Sequence, residues 1–409
     1  MARPAGNIQL KSARMAAGYP SQQALADSLG VGVRQVRRWE SEAPPWPQPE
    51  VGQALSRLLG QDLEALGFIS PTGVTPERGR RSALATAAAA VGLASVPTQA
   101  AAVLQPASVV ADFEAVTRAH RRLYWSVAPA ALHPSAMAHA ALGLVLLSET
   151  AGQTRRGVAA ALAETYLLAG RIEFFDLREP DHATQTLLRA LQAAGEADDP
   201  LLGAAALAHT AFIPAWGGRR DEAVERMVAA RTYARRGPAS AELLAWLDAV
   251  EAECETRCGN TRPALHLICH AEDVLAAGSE HVNPPWLDWF SPVRLAAFKG
   301  NTQLKAGHLP QARETLVAVL SALDLSEEKQ TTVVLGDLAA VEAAAGQPEE
   351  ACRYALRALD QLERTWYAMG MDRVREVRRV LAPHQNERCV RELDDRLYGW
   401  STTVSALTR

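Results

Sequence analysis

The sequence is poor in several features that mark common classes of protein. Five of its 409 residues are cysteines, and no secretion signal is recognisable, so we expect free thiols in a reducing cytoplasm rather than disulfides. Lysine is rarer still, because 38 of the 42 basic residues are arginines. With abundant alanine, this bias indicates a bacterial genome of high GC content. The alternation of apolar and polar residues that is typical of β-strands is missing beyond about residue 109, which favours an all-α chain.

Catalytic signatures are also missing from the sequence. It contains no phosphate-binding glycine loop followed by lysine, no H-E-x-x-H pair and no nucleophile with a base placed beside it. The glycines stand instead where helices are expected to end. We therefore expect a protein that is not an enzyme and that holds no cofactor.

The charge of the chain is small but uneven. The whole sequence carries −4, whereas residues 1–43 hold six basic and three acidic residues, a net charge of +3. DNA affinity would then come from a local basic patch, and the acidic remainder would resist nonspecific wrapping of nucleic acid.

Residues 21–40 have the pattern of two short helices joined by a tight turn. Ser21 suits an N-cap, and Gly30 suits the left-handed residue that ends a helix. A second helix, over about 33–40, places Val36 and Trp39 inward and basic side chains outward. A short basic helix braced by another helix is the arrangement that enters the major groove of DNA.

This stretch has the form S-Q-x-x-L-A-x-x-L-G-V-x-x-x-x-V-x-R-W-E, and it resembles the Cro/C1-type (XRE) helix-turn-helix family over about residues 8–68. The resemblance implies a five-helix, lambda-repressor-like DNA-binding domain, placed here at residues 1–69 and called the head. One departure is Glu42, which stands where the family usually has glycine and precedes a proline-rich loop. The base-contacting residues that the resemblance implies are Val33, Arg34, Gln35, Arg37 and Arg38. The phosphate-contacting residues are Ser21 and Gln22.

A linker is predicted over residues 70–108, because proline and glycine interrupt its first part and the apolar residues there show no regular spacing. Arg78, Arg80 and Arg81 are open to two interpretations, a solvated linker or contacts with phosphates. The alanine-rich stretch 82–104 that follows is interrupted by polar residues and Pro97, so we expect a packed or linking helix and no membrane span.

Residues 109–409, called the body, are predicted to be helical throughout, with a recurring break of the form G-x4-A. The break occurs at Gly218, Gly259, Gly307 and Gly346, with spacings of 41, 48 and 39 residues. Each glycine would close one helix, and the alanine would let the next helix approach closely. The pattern resembles tetratricopeptide repeats and predicts an α-solenoid of helical hairpins with a concave groove. Other α-solenoids are the alternative.

A Cro/C1-type head on a repeat body resembles the RRNPP group of bacterial quorum-sensing regulators and long regulators of actinobacteria. In that group the repeats bind a short peptide and change how two DNA-binding heads are presented. The resemblance implies a homodimer with a peptide effector. A small molecule, a protein partner or no ligand stay open, because the body has few asparagines to hold a peptide backbone.

The body contains two groups of side chains with functional potential. The first group is expected to line an apolar groove or, alternatively, to pack between repeats: Phe212, Trp216, Trp246, Trp286, Trp289 and Asn301. We expect Trp286, Trp289 and Phe290 to open a first helix of the array. The second group would hold zinc or, alternatively, consists of small packed thiols and surface histidines: Cys254, Cys258, His266, Cys269 and His270. Its spacing matches no known zinc motif, so no metal is predicted.

The sequence therefore predicts a cytoplasmic transcriptional regulator that binds specific double-stranded DNA, dimerises and senses an effector through its repeats. The alternative is a repeat adaptor that the head tethers to DNA.

Overall fold

Every regular element in the part of the chain that the structure describes is a helix, as the sequence predicts. The structure is a computed structural model, and it describes residues 7–41, 44, 45, 47–59, 61, 63, 66–68 and 105–407. The chain divides into two units, Met1–Gln99 and Ala100–Arg409. The predicted linker, with Arg78, Arg80, Arg81 and the alanine-rich stretch, lies outside the described residues apart from 105–108. Its boundaries stay a prediction.

Four helices of the head lie among the described residues. They are α1 (Ile8–Ala16), α2 (Gln22–Leu29), α3 (Val33–Trp39) and α4 (Pro49–Leu59). The fifth predicted helix would lie within residues 60–69, of which only 61, 63 and 66–68 are described. The buried apolar core of the head contains Leu10, Leu25, Val36, Trp39, Leu55, Leu66 and Phe68.

The caps of α2 form as the sequence predicts. The Ser21 hydroxyl oxygen accepts a hydrogen bond from the Ala24 backbone N–H at 3.1 Å, which satisfies one of the free donors of the first turn. Gly30 ends the helix with φ = 65°, a conformation that costs glycine little. These two local signals fix the length of α2 and the turn that leads to α3.

A buried polar cluster links the start of the head, at α1, to the end of α3 and to Leu66 near the end of the head. Asn7 caps α1 and also donates its amide to the Trp39 and Leu66 carbonyls, at 3.1 and 2.9 Å. Glu40, directly after α3, accepts a bond from Arg14 of α1 at 2.7 Å. Because these groups are buried with their partners, they fix the position of α3 against α1.

Fourteen helices form the described part of the body. They are α5 (Ser108–Leu123), α6 (Pro129–Ser148), α7 (Gly152–Arg171), α8 (Pro180–Ala197), α9 (Pro200–Trp216), α10 (Arg220–Ala234), α11 (Ala241–Arg257), α12 (Thr261–Ala277), α13 (Pro292–Lys305), α14 (Leu309–Ala322), α15 (Glu328–Ala344), α16 (Pro348–Arg364), α17 (Ala368–Val380) and α18 (Arg388–Leu407). A π-helical turn, Ile172–Asp176, extends α7.

The predicted G-x4-A breaks each close one helix of a hairpin. Their four glycines have φ between 70° and 83°, which favours glycine over residues with a Cβ. The alanine five residues later is buried in every case, at Ala223, Ala264, Ala312 and Ala351. The hairpins that result are α9–α10, α11–α12, α13–α14 and α15–α16.

The hairpins stack into an α-solenoid of tetratricopeptide type. The first helices, α7, α9, α11, α13, α15 and α17, contact one another in order. Each second helix packs between its own first helix and the next one along the chain, from α8 to α14. Neighbouring hairpins therefore share a continuous core.

One described helix, α6, is apolar and long enough to cross a membrane by length and composition alone. Core helices of soluble proteins pass the same test, and α6 packs against α5 and α7. Its His139 is buried, stacks on Phe113 at 4.0 Å between ring centroids and lies 3.0 Å from the Thr117 hydroxyl. Burial lowers the pKa of His139 to about 4, so this helix carries a neutral, packed imidazole.

Candidate functional site

The exposed face of α3 is the candidate DNA-contacting surface of the head. Val36 and Trp39 are buried beneath it, and Val33 is half-buried against the same core. The remaining predicted base-contacting side chains all lie on the exposed face: Arg34, Gln35, Arg37 and Arg38. The three arginines make no ion pair or side-chain hydrogen bond with any described residue, so their donors are available to DNA. Their base contacts stay a prediction.

The two predicted phosphate-contacting residues lie at the start of α2. Ser21 is exposed and keeps its own O–H as a donor while its oxygen caps the helix. Gln22 is half-buried, and its amide donates to the Glu40 carboxylate at 2.6 Å. In this structure Gln22 therefore braces α2 against the end of α3, and its phosphate contact stays a prediction.

A cavity on the inner side of the body is the candidate effector site. It encloses about 810 Å³, part of which is open to solvent. Six first helices contribute side chains to it. Where one helix supplies several, they repeat at helical spacing, as do Arg294, Phe298 and Asn301 of α13. Such a stripe on each stacked helix makes one continuous wall. The end of α5 supplies Tyr124 and Trp125.

The structure brings the predicted groove residues together. Phe212, Trp216, Trp246, Trp289 and Asn301 line the cavity. Trp286 lies beside it and lines a smaller neighbouring cavity that shares Trp246 and Trp289. Trp246 is 1% exposed and belongs to the core as well as to the wall. Whether these residues bind a ligand stays a prediction.

The prediction that Trp286, Trp289 and Phe290 open a first helix is wrong. Residues Pro285–Leu287 form a single 3-10 turn, and α13 begins after Ser291, whose hydroxyl accepts from the Arg294 N–H at 3.3 Å. A serine N-cap followed by Pro292 is a stronger start signal than the two prolines further upstream. Phe290 is buried in the core, and Trp289 is half-buried.

Paired charges stiffen the far wall of the cavity. Arg373 of α17 donates to Asp337 of α15 at 2.7 Å, and burial raises the pKa of Asp337 while Arg373 opposes that rise. Asn301 donates to Glu253 at 2.8 Å, and Arg257 pairs with the same carboxylate at 3.1 Å. The amide donor of Asn301 is therefore occupied within the protein.

A neutral histidine, His209 of α9, is part of the wall. Burial, with the nearby Arg171 charge as a smaller cause, lowers its pKa to about 3. Its Nδ1 lies 2.8 Å from the Ala205 carbonyl oxygen, which can only accept, so Nδ1 carries the proton. The unprotonated Nε2 is then an acceptor. The ring is tilted against Trp246 at 5.2 Å between centroids.

The sequence analysis missed several cavity residues. His209 stands three residues before Phe212 and seven before Trp216, so helical spacing from the two predicted aromatics would have found it. Arg171 and Tyr124 carry no such signal, because they enter the cavity from helix ends whose placement depends on the curvature of the solenoid. The same applies to the Arg373–Asp337 pair, which joins α15 and α17.

The structure does not gather the cysteine and histidine group around one point. Cys254 is buried, Cys269 is exposed, and the Cys258 thiol faces the Ala215 carbonyl at 3.9 Å. His270 lies 2.7 Å from the Asp248 carboxylate. Among the described residues, no three or more potential ligands stand close enough to hold a metal ion.

The head and body together define a class, a helix-turn-helix protein with a helical-repeat body. Residues 10–66 match the family model described as helix-turn-helix, so the head is a DNA-binding domain of this type, as the sequence resemblance implies. No curated protein matches the chain.

Two solved structures resemble the fold. BtubC from P. vanneervenii is 17% identical, with a TM-score of 0.40, and the match covers 58% of this chain and 92% of that one. A Rap protein in complex with competence and sporulation factor is 13% identical, with a TM-score of 0.44, over 74% of this chain and 89% of that one. At these TM-scores neither likeness defines the function of the body.

Proposed function

We propose that this protein is a sequence-specific transcriptional regulator whose α3 contacts base edges in the major groove. The observation that carries the proposal is the exposed face of α3, where three arginines have no partner among the described residues. An arginine can donate two hydrogen bonds to O6 and N7 of guanine, and such a pair discriminates between bases by about 1–3 kcal/mol. Gln35, on the same face, suits adenine.

The rigid support of α3 favours base contacts over a loosely held basic surface. The Arg14–Glu40–Gln22 chain of hydrogen bonds joins α1 and α2 to the residue that follows α3. The Asn7 amide holds the Trp39 carbonyl from the other side. Side chains on a helix fixed in this way meet DNA in one orientation, which specificity requires.

Homodimerisation belongs to the same proposal. One head with a short helix in the groove contacts only a few base pairs, whereas two heads on half-sites about 34 Å apart give useful affinity. The head's small core offers little further apolar surface, so we place the dimer contact in the body.

The body is proposed to sense an effector through its cavity. The cavity is concave, and its wall combines several aromatic rings with a few polar and charged groups, as is usual for small-molecule sites. Binding there would change the spacing of the first helices and so the curvature of the solenoid.

A genome-wide profile of DNA bound by the intact protein tests the regulator against the adaptor. A regulator gives sharp sites with a two-fold consensus, and an adaptor tethered to DNA gives diffuse binding without a consensus. A profile of the second kind contradicts the proposal. An α3 variant, Arg34→Ala with Arg38→Ala, is the control and should lose the sharp sites.

A further inference from the structure

Contacts across the inner side of the solenoid join the walls of the cavity. Lys329 of α15 donates to Asp176 of the π-helical turn at 2.7 Å, and both side chains are almost fully buried. Arg178, two residues on, is hydrogen-bonded to Asp372 of α17. These bonds connect segments more than 150 residues apart, so the cavity has walls from both halves of the body. A bounded site of this kind suits a small molecule better than an extended peptide.

Nearly all the charged side chains around the cavity form ion pairs or hydrogen bonds with one another or with neighbouring residues. Asp337 and Glu253 are each paired with an arginine, as described above. Arg294 is hydrogen-bonded to Glu327 at 2.6 Å and Gln330 at 2.5 Å. Asp176 is paired with Lys329. Among the charged lining residues, Arg171 is the one whose side chain forms no hydrogen bond and no ion pair with a described residue; its charge acts on the Asp176 carboxylate, which Lys329 already holds.

Aromatic rings hold the Arg171 guanidinium in place. Its central carbon lies over Tyr124 at 4.8 Å, over Trp125 at 5.6 Å and over Trp289 at 4.7 Å from the ring centroids. Stacking fixes the plane of the group but uses none of its donors. The Nε atom is buried and has no hydrogen-bond partner among the described residues. The two terminal nitrogens of Arg171 form no hydrogen bond with a described residue either, and Arg171 lines the cavity, so these donors stay available to a ligand.

Next to this cation the wall is aromatic and supplies an acceptor. Trp246 and Trp289 meet edge to face at 6.3 Å between centroids, and Phe212 and Trp216 do so at 5.6 Å. His209 also lines the cavity, with its neutral ring beside Trp246 and Phe212 and its Nε2 as an acceptor. The surface therefore offers one place for a negative charge and a wide apolar area beside it.

We propose that the cavity binds a small ring-bearing oxyanion, such as an aromatic carboxylate, whose acidic group pairs with Arg171 and whose rings lie against Trp246 and Trp289. The inference deepens the proposed effector function and rests on it. The paired oxygens of the ligand supply the acceptors that the guanidinium lacks, in the forked geometry that arginine favours. A neutral ligand of the same shape leaves those donors unpaired.

Two fluorescent probes that differ by one charged group test this. 8-Anilinonaphthalene-1-sulfonate carries a sulfonate, and N-phenyl-1-naphthylamine has the same ring system without it. Titration into the full chain at fixed ionic strength should give one saturable sulfonate site, at least tenfold tighter than binding of the neutral probe. Arg171→Gln should weaken the sulfonate probe at least tenfold and the neutral probe less than twofold. Arg171→Lys should keep most of the preference for the anion.

Arg236→Gln is the matched control, because Arg236 lies over the Tyr233 ring at 4.8 Å outside the cavity. It should bind both probes as the wild type does. Equal affinity of the wild type for the two probes, many weak sulfonate sites, or equal weakening of both probes by Arg171→Gln overturns the proposal. If Arg171→Gln does not fold, the comparison of probes on the wild type decides alone. None of these titrations uses DNA, so the proposal for the cavity and the proposal of sequence-specific DNA binding can fail independently.

Discussion

At the scale of single residues, the cavity depends on groups held in one ionisation state by burial. His209 is neutral in the folded body because its pKa is near 3, whereas an exposed histidine titrates near 6.5. Below about pH 6.5 the His209 side chain binds a proton in the unfolded chain but stays neutral in the folded chain. Stability present above pH 6.5 is therefore lost as the pH falls towards 3.

We predict that the free energy of unfolding of the body decreases by about 2 kcal/mol between pH 7 and pH 5 through His209 alone. Chemical denaturation at both pH values measures this. His209→Gln keeps a polar side chain without the titration and should reduce the pH dependence by that amount. An unchanged pH dependence in the variant contradicts a neutral, buried His209.

The two tryptophans of the cavity should differ in what they contribute. Trp246 is 1% exposed, so Trp246→Ala removes a core side chain and should cost about 3–5 kcal/mol of stability. Trp289 is half-buried, stands before α13 and covers Arg171. Trp289→Ala should lower the melting temperature clearly less. Thermal denaturation of both variants checks this. An equal decrease of the melting temperature in the two variants would show that Trp289 acts only as a core residue.

At the scale of elements, the break between hairpins rests on backbone conformation. Gly259 has φ = 83° and open space where a Cβ would lie, whereas Gly195 of α8 has an ordinary helical conformation and open space as well. Gly259→Ala should therefore destabilise by about 1–2 kcal/mol. Gly195→Ala should be neutral or stabilise by up to about 1 kcal/mol. Urea denaturation compares the two, and equal effects would contradict a backbone role for Gly259.

The elements could be predicted from the sequence wherever a local signal fixes them. Ser21 and Gly30 bound α2, and the G-x4-A breaks locate the later hairpins, because capping and left-handed conformation are properties of a few neighbouring residues. The prediction for the segment before α13 is wrong, since the tryptophan spacing fits a helix that the Ser291 cap excludes. Contacts such as Lys329–Asp176 join distant segments and depend on the curvature of the whole solenoid, which no local pattern encodes.

At the scale of the whole molecule, specificity is expected to come from pairing two heads through the body. Residues 1–75 alone should then be monomeric and should bind a half-site orders of magnitude more weakly than the full chain binds a whole site, because the gain from linkage is lost. Sedimentation of both proteins, with DNA titration at one salt concentration, tests this. A dimeric head fragment or equal affinities contradict it.

The most direct measurement of α3 as the sequence-contacting element is selection of binding sites from random double-stranded DNA by the wild type and by Arg34→Ala. The wild type should select a consensus with two related half-sites about one helical turn apart. The variant should keep the other positions and lose the preference at one position in each half-site, with a loss of about 1–3 kcal/mol on the best site. Weaker binding of the variant to every sequence by the same factor, with an unchanged consensus, would contradict base contact by Arg34.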